Sequence, residues 1–392
     1  MKIYEIATGY TPIPAKIGAA TEIVVEELTR AYRKQGIEAT IIDIAASDRL
    51  QTELPIIEVA VPKGFSRTDE KLGLMHKLKR VVYSISLAEC IKRIIRLNKE
   101  RLLLHFHNQY NLYFFLKLST KKIRSKCIVF YTNHSYIWHG DWNDIESIVK
   151  KRYFQEISSM EGADKVFVLN EVALENIVYH VGIEKNKISL IDNGVNTNVY
   201  KPLQNKEEIR KKNGLKGKIV FIQVGSVCER KNQLGAIELL LPLMKQHEGI
   251  EFCYAGGLID VEYNERISRF AEDRGIGNRV HYFGEIKPGK ELNEFYNLGD
   301  AMLFPSKAEG FSLVILEAMS AGVPVLINRK LRFKLADSCL QYDSEDDFHN
   351  VVMRHIYDIE KQKEISASNR SLIEKEFSWD AIAKEYYKAY EV

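Results

Sequence analysis

No stretch of this 392-residue chain approaches about 18 uninterrupted apolar residues, so nothing in it is expected to span a membrane. Cysteine is scarce and unpaired. The five residues Cys90, Cys127, Cys228, Cys253 and Cys339 are odd in number and scattered, with no Cys-x2-Cys pair. That argues against a disulfide framework and a structural zinc site, and for a reducing compartment. The start of the chain has no leader pattern, because Glu5 interrupts a short apolar run. A cytoplasmic protein is therefore expected. No internal repeat or low-complexity tract stands out.

What the chain does contain is alternation. Hydrophobic residues make up 45% and charged residues 28%, ordinary for a globular protein, and 392 residues are too many for one core. Short apolar runs alternate with longer helical patterns, which reads as βαβ units and parallel sheets. Strands are expected at 2–7, 39–43, 102–106, 127–131, 165–168 and 188–191. A second series follows at 219–224, 252–255, 280–283, 301–304 and 325–327. The turn Asp192-Asn193-Gly194-Val195-Asn196, with Pro202 beyond it, marks a junction. The fold class is thus α/β, with two doubly wound, Rossmann-like domains, 1–191 and 192–377. Ser378 can cap a last helix whose apolar positions Trp379, Ala383, Tyr386 and Tyr390 recur at helical spacing.

Charge is uneven. Residues 1–200 hold 28 Lys+Arg against 23 Asp+Glu, and residues 201–392 hold 28 against 30. Between Lys63 and Arg101 there are eleven basic residues against four acidic ones, and residues 72–82 interleave apolar and basic side chains. Such a surface suits a peripheral contact with the inner face of an anionic membrane, or is simply a solvated basic face.

The most informative run is Glu309-Gly-Phe-Ser-Leu-Val-Ile-Leu-Glu317-Ala-Met-Ser-Ala321, continuing into Gly322-Val-Pro324. Two carboxylates sit eight positions apart, one in a loop after an apolar strand and one inside the helix that follows. The helix entrance between them offers backbone N–H groups and a positive dipole end, which suit a phosphate. The loop Gly225-Ser226-Val-Cys-Glu-Arg230-Lys231 also joins a strand to a helix, with cations at hand. Asp343-Ser-Glu345-Asp346-Asp347 reads as a helix N-terminus.

The Pro-x4-Gly-Phe-x5-Glu-Ala-Met-x2-Gly-x-Pro context resembles the Glu-x7-Glu signature of retaining, nucleotide-sugar-dependent glycosyltransferases of family 4, with the GT-B architecture. The resemblance covers nearly the whole chain. It implies two Rossmann-like domains and a C-terminal segment, 378–392, that crosses back to the N-terminal domain. It implies that Glu309 lies beside the transferred sugar, that Gly310, Phe311 and Ser312 hold the diphosphate, and that Glu317 binds the ribose. Lys231 falls on a diphosphate-binding lysine, while Ser226 stands where the family carries arginine, and Arg230 is a neighbouring substitute. Gly18 falls in a loop facing the donor phosphates, with Ala19 in place of a second glycine. His134, at a strand end, matches a histidine near the sugar and β-phosphate, where it can donate to a hydroxyl or leaving phosphate. Ile286 matches a main-chain contact to the base.

Lys16 and His107 are acceptor-side candidates. His105 and His107 are expected on opposite faces of their strand, with His107 alone reaching the site. His139 and Asp141 mimic part of a metal site that nothing completes, and no Asp-x-Asp stands at a strand end. A metal-free site without a cofactor is expected, its cosubstrate a nucleotide sugar, UDP-sugar first. The expected activity is retaining hexosyl or N-acetylhexosaminyl transfer to a glycan, lipid-linked or protein acceptor in bacterial glycan or envelope-polymer synthesis. Nucleic acid is not an expected partner. The alternatives are a noncatalytic GT-B protein that binds a nucleotide sugar or serves a partner transferase, and a GT-B isomerase of UDP-sugars.

Overall fold

The computed structural model describes residues 2–15, 19–65, 74–306, 313–331 and 333–390. Lys16, Gly18, Glu309, Gly310, Phe311 and Ser312 lie outside them. The chain forms two compact units. The first is Met1–Asn193 together with Trp379–Val392, and the second is Gly194–Ser378.

The first unit is built on a parallel sheet of seven strands: β1 (Ile3–Ile6), β2 (Ala39–Ile44), β3 (Ile56–Val59), β4 (Leu102–Phe106), β5 (Cys127–Thr132), β6 (Lys165–Val168) and β7 (Ile188–Leu190). Their order is β3-β2-β1-β4-β5-β6-β7. Strands of such a sheet are covered on both faces, so their sequences are apolar throughout rather than alternating. Every residue of β4 is buried. Leu104 and Phe106 pack into one core with Tyr131, and Leu103 packs into another with Phe130 and Phe167. That second core is closed by the helices Ala20–Lys34 and Trp379–Tyr390. The latter buries Trp379, Ile382, Ala383, Tyr386 and Tyr390, of which Ile382 alone is worth about 1.5–3 kcal/mol when fully removed from water. The Tyr390 ring stacks on Phe130 at 4.7 Å between centroids. The C-terminal helix thus packs on the N-terminal sheet, as the resemblance implies.

The second unit has six parallel strands: β8 (Ile219–Val224), β9 (Ile250–Ala255), β10 (Val280–Tyr282), β11 (Ala301–Phe304), β12 (Val325–Asn328) and β13 (Leu340–Tyr342). They run in the order β10-β9-β8-β11-β12-β13. Ser344 caps the helix Glu345–His355, accepting from the Asp347 N–H, with three acids in the first turn. The strands β3 and β13 escape the sequence pattern. Each is the edge of its sheet and only part-buried, so neither needs a wholly apolar run.

One buried acid gives a stability test. Glu156, in the helix Phe154–Gly162, accepts a hydrogen bond from the Tyr131 hydroxyl at 3.0 Å. Burial pushes its carboxyl up from 4.5 to about 7. Between those values the folded chain holds a proton that the unfolded chain has lost, so stability falls as pH rises through that window. Glu156→Gln removes the penalty. It is expected to be near neutral at pH 5 and to stabilise by about 1–3 kcal/mol at pH 8. Calorimetric melting across this range checks it, and a pH-independent difference would refute it.

Candidate active site

In open α/β sheets a ligand binds beyond the carboxyl ends of the strands, where the strand order reverses. The reversal in the second unit lies between β8 and β11. In the first it lies between β1 and β4. Gly225, Ser226, Arg230 and Lys231 follow β8, and His107 follows β4, each a strand that flanks one of these points, while His134 follows β5, one strand further out.

In the second unit, backbone stacks on backbone. The Gly225 N–H, just after β8, donates to Ala255 O at 2.9 Å. The Gly256 N–H, just after β9, donates to Gly284 O at 2.8 Å. A Cβ on Gly256 would sit 2.0 Å from the carbonyl oxygen of Gly225, so no other residue fits there. Lys231 lies over this floor, with a Cβ position on Gly225 falling 3.3 Å from its Cδ and Cε. Its Nζ is 5.8 Å from the centre of the Phe304 ring, which ends β11. Asn232, at φ 57°, ties the same loop across, donating from Nδ2 to Pro305 O at 3.2 Å. The loop after β8 and the exit of β11, which leads directly to Glu309, are therefore held together. Ser226 accepts on its carbonyl from Gln233 Nε2 at 3.0 Å, and Arg230 is exposed at the turn. Ile286 is half-buried against the core that contains Phe295.

Glu317 is buried in the helix Leu313–Ser320. The Tyr296 hydroxyl donates to its Oε2 at 2.6 Å, and Tyr200 also bonds to the carboxyl. Burial pushes the carboxyl up to about 7, against these two hydroxyls, which lower it. A carboxyl so placed gains from hydrogen-bond donors that favour its charged form, such as the hydroxyls of a ribose.

In the first unit, β4 and β5 deliver three histidines to one place. His105 and His107 are not on opposite faces, as alternation was expected to put them. Positions two apart return to the same face of a strand, and their rings lie 4.2 Å apart. Both meet Glu5 of β1, with His107 Nε2 2.6 Å from Glu5 Oε2 and His105 Nδ1 3.2 Å from Oε1. His107 Nδ1 is 3.0 Å from Nε2 of His134, the second residue after β5. Asn108 fixes the exit of β4 by capping the helix Gln109–Leu118, its side chain accepting from the Tyr110 and Asn111 N–H groups.

Donor atoms of Glu5, His105 and His107 all lie within 4.8 Å of one another, close enough to consider a metal ion. Tetrahedral zinc ligands at about 2.0–2.1 Å from the ion stand about 3.3 Å apart. The 2.6 Å contact is shorter, and the second nitrogens of both rings are occupied by Thr132 and His134. The cluster is a hydrogen-bonded one. His139 pairs with Asn170, and Asp141 caps the helix Trp142–Arg152, so neither joins a metal site.

The basic stretch resolves differently from its sequence pattern. Lys79 is buried, and the Arg80 guanidinium lies over the rings of Tyr110 at 3.8 Å and Tyr10 at 4.9 Å. Neither belongs to a solvated basic face. The exposed residues of the helix Leu74–Leu97 include Met75, Lys77, Leu78, Val81 and Ile85 near its start and Glu89, Arg93, Arg96 and Leu97 near its end.

Glu5, Tyr200 and Tyr296 carry no role in the sequence reading, whereas Gly256 reads there as a strand-end glycine that either permits approach to the nucleotide or makes a tight turn. The signal for Glu5 was present: an acid inside an otherwise apolar parallel strand must find partners, and two histidines share the adjacent strand.

Comparison with known proteins bears on the same segments. Residues 21–199 match Glycosyltransferase Family 4 and residues 205–332 match Glycosyl transferases group 1. The alpha-galactosylglucosyldiacylglycerol synthase of Streptococcus pneumoniae is 27% identical over 186 residues, 47% of this chain and 48% of that one. The lipopolysaccharide glucosyltransferase WaaG of Escherichia coli is 27% identical over 168 residues, 41% of this chain and 43% of that one. The chain thus spans less than half the length of these relatives. Among solved structures, sucrose-phosphate synthase from Thermosynechococcus elongatus superposes with a TM-score of 0.74 at 19% identity, covering 100% of this chain and 98% of that one. HepE of Anabaena, in complex with UDP and glucose, gives 0.71 at 16% identity, covering 100% and 99%.

Proposed function

The chain belongs to glycosyltransferase family 4, the glycosyl transferases group 1 with the GT-B fold, and from that premise we propose that it moves a sugar from a nucleotide diphosphate to an acceptor hydroxyl with retention of configuration. The observation that carries this reading is the backbone floor of Gly225 and Gly256 with Lys231 above it, at the switch point beside the end of β11. Phosphates need close backbone approach and a fixed cation, and this place supplies both. Lys231 holds the diphosphate, Glu317 the ribose, Ile286 the base, and Glu309 the sugar.

The bond from sugar C1 to the phosphate oxygen breaks as the acceptor oxygen bonds to C1 on the same face. The departing phosphate takes the acceptor's proton, and Lys231 stabilises its charge. UDP is the favoured nucleotide and a hexose or N-acetylhexosamine the favoured sugar. The structural neighbour HepE, held in complex with UDP and glucose, supports the first of these.

The acceptor is proposed to be lipid-linked or part of an envelope glycan. No helix among the described residues is long and apolar enough to cross a membrane. The exposed row Met75, Leu78, Val81 and Ile85, with Lys77 beside it, suits peripheral contact with an anionic bilayer. The relatives named for diacylglycerol and lipopolysaccharide substrates support the same choice.

The test is a turnover screen of UDP-, GDP- and ADP-sugars, with and without anionic vesicles, and NMR of any product linkage. Transfer with retained anomeric configuration is expected, stimulated by vesicles in the wild type and not in Met75→Ser/Leu78→Ser. Donor binding without turnover on any acceptor would favour the noncatalytic reading, which the serine at position 226 keeps open. An inverted product would refute the mechanism.

A further inference from the structure

The buried histidines form a directed chain, and its direction can be worked out from the acid at its root. Glu5 is fully buried in β1. Burial pushes its carboxyl up, but the His105 and His107 rings outweigh that and hold it at about 2. It is a carboxylate, which only accepts hydrogen bonds. The 2.6 Å contact from His107 Nε2 is therefore an N–H donating to Glu5. Burial, with His105 nearby, drives the His107 ring down to about 4, so it is neutral and its Nδ1 carries a lone pair. The 3.0 Å contact at that Nδ1 requires His134 to donate from Nε2. Burial and the neighbouring histidine rings hold His134 well below its ordinary value too. Its one remaining ring nitrogen, Nδ1, is then an acceptor, and among the described residues it has no hydrogen-bond partner.

The other side of Glu5 is closed with equal care. His105 Nδ1 lies 2.8 Å from the Tyr390 hydroxyl, which is 3.0 Å from that of Tyr32. His105 Nε2 lies 2.7 Å from Thr132 Oγ1, which meets the Tyr386 hydroxyl at 3.3 Å. Every member is buried, so the carboxylate cannot exchange these partners for water without opening the unit.

We infer that Glu5 and His107 are positioning residues that lock His134 in its Nε2–H tautomer, so that His134 accepts a hydrogen bond at Nδ1 instead of donating one. On this inference His134 accepts at Nδ1, where the resemblance implied a donor to a hydroxyl or leaving phosphate. Its partner is a hydroxyl, of the donor sugar or of the acceptor. That last step rests on the transferase reading; the tautomer does not.

Long-range ¹H–¹⁵N correlation of the full chain, labelled at histidine and free of nucleotide, reads the tautomer directly, with His134→Gln identifying the signals. At pH 7.5 the wild type is expected to show a protonated Nε2 and a bare Nδ1. Glu5→Gln can donate its amide to His107 Nε2, which reverses the chain and places a proton on His134 Nδ1. That variant is expected to show this tautomer in at least half of the molecules. Its kcat is expected to fall about tenfold, the loss of one hydrogen bond, with KM for the donor within twofold. A protonated Nδ1 in the wild type overturns the inference, as do unchanged His134 shifts in a folded Glu5→Gln. If that variant does not fold, the wild-type spectrum still decides. If no donor turns over, the transferase reading fails while the tautomer stands or falls separately.

Discussion

Replacing Glu309 with glutamine is expected to lower sugar transfer by about 10²–10³-fold while leaving nucleotide affinity within a few-fold. The carboxylate is assigned to the sugar, where positive charge develops in the transition state, and the isosteric amide keeps the shape without the charge. Glu317→Ala is the informative contrast. It removes the group assigned to the ribose and leaves the Tyr296 hydroxyl, now 2.6 Å from its acceptor, without that partner. Nucleotide binding is expected to weaken by about 1.5–3 kcal/mol. A pH signature accompanies it. Because the free carboxyl sits near 7, a ribose that favours its charged form displaces a proton, and affinity rises with pH through that value. Titration calorimetry with a UDP-sugar, whose phosphates do not titrate in this range, reads both effects. Full transfer by Glu309→Gln would remove the sugar assignment. Unchanged affinity in Glu317→Ala would remove the ribose assignment.

Gly256→Ala is expected to damage the second unit at its floor. The added carbon would stand 2.0 Å from Gly225 O and 2.4 Å from Gly225 C, and both are backbone atoms that cannot swing aside. Overpacking and a disfavoured φ of 150° together cost about 2–5 kcal/mol. The relief available is for the exits of β8 and β9 to part, which separates Gly225 from Lys231 and spoils the phosphate approach. Melting temperature should drop, and nucleotide binding should be lost even where the fold survives. Gly249→Ala is the control, since a Cβ there meets nothing within 4 Å. Equal melting and binding in the two variants would show that the close approach is not needed.

The sequence was readable where the physics is local. Strands buried on both faces announce themselves as apolar runs, and the motif running from Pro305 to Pro324 announces the family. The edge strands β3 and β13 did not, being short and only part-buried, although the edges β7 and β10 did. The contact that holds Gly256 and the role of Glu5 are legible only once neighbours are known. One depends on a carbonyl thirty-one positions away and the other on rings a hundred away. The error over His105 and His107 is of another kind: the period of a strand is two, and the consequence of that period was misapplied. Lys79 and Arg80 show that interleaved charge does not by itself mark a solvated face, since tyrosine rings can take a guanidinium in.

The helix Trp379–Tyr390 belongs to the first unit, yet it is synthesised only after all of Gly194–Ser378. At ribosomal speeds of about 5–20 residues per second, those residues take roughly 10–40 s to make. Throughout that interval the nascent first sheet carries Leu103, Phe130 and Phe167 without one of the two helices that close their core, and Glu5 with His105 without Tyr386 and Tyr390. The unit that emerges first is thus the last to be completed, and it is the nascent sheet, rather than the finished fold, that offers a chaperone an apolar face to hold.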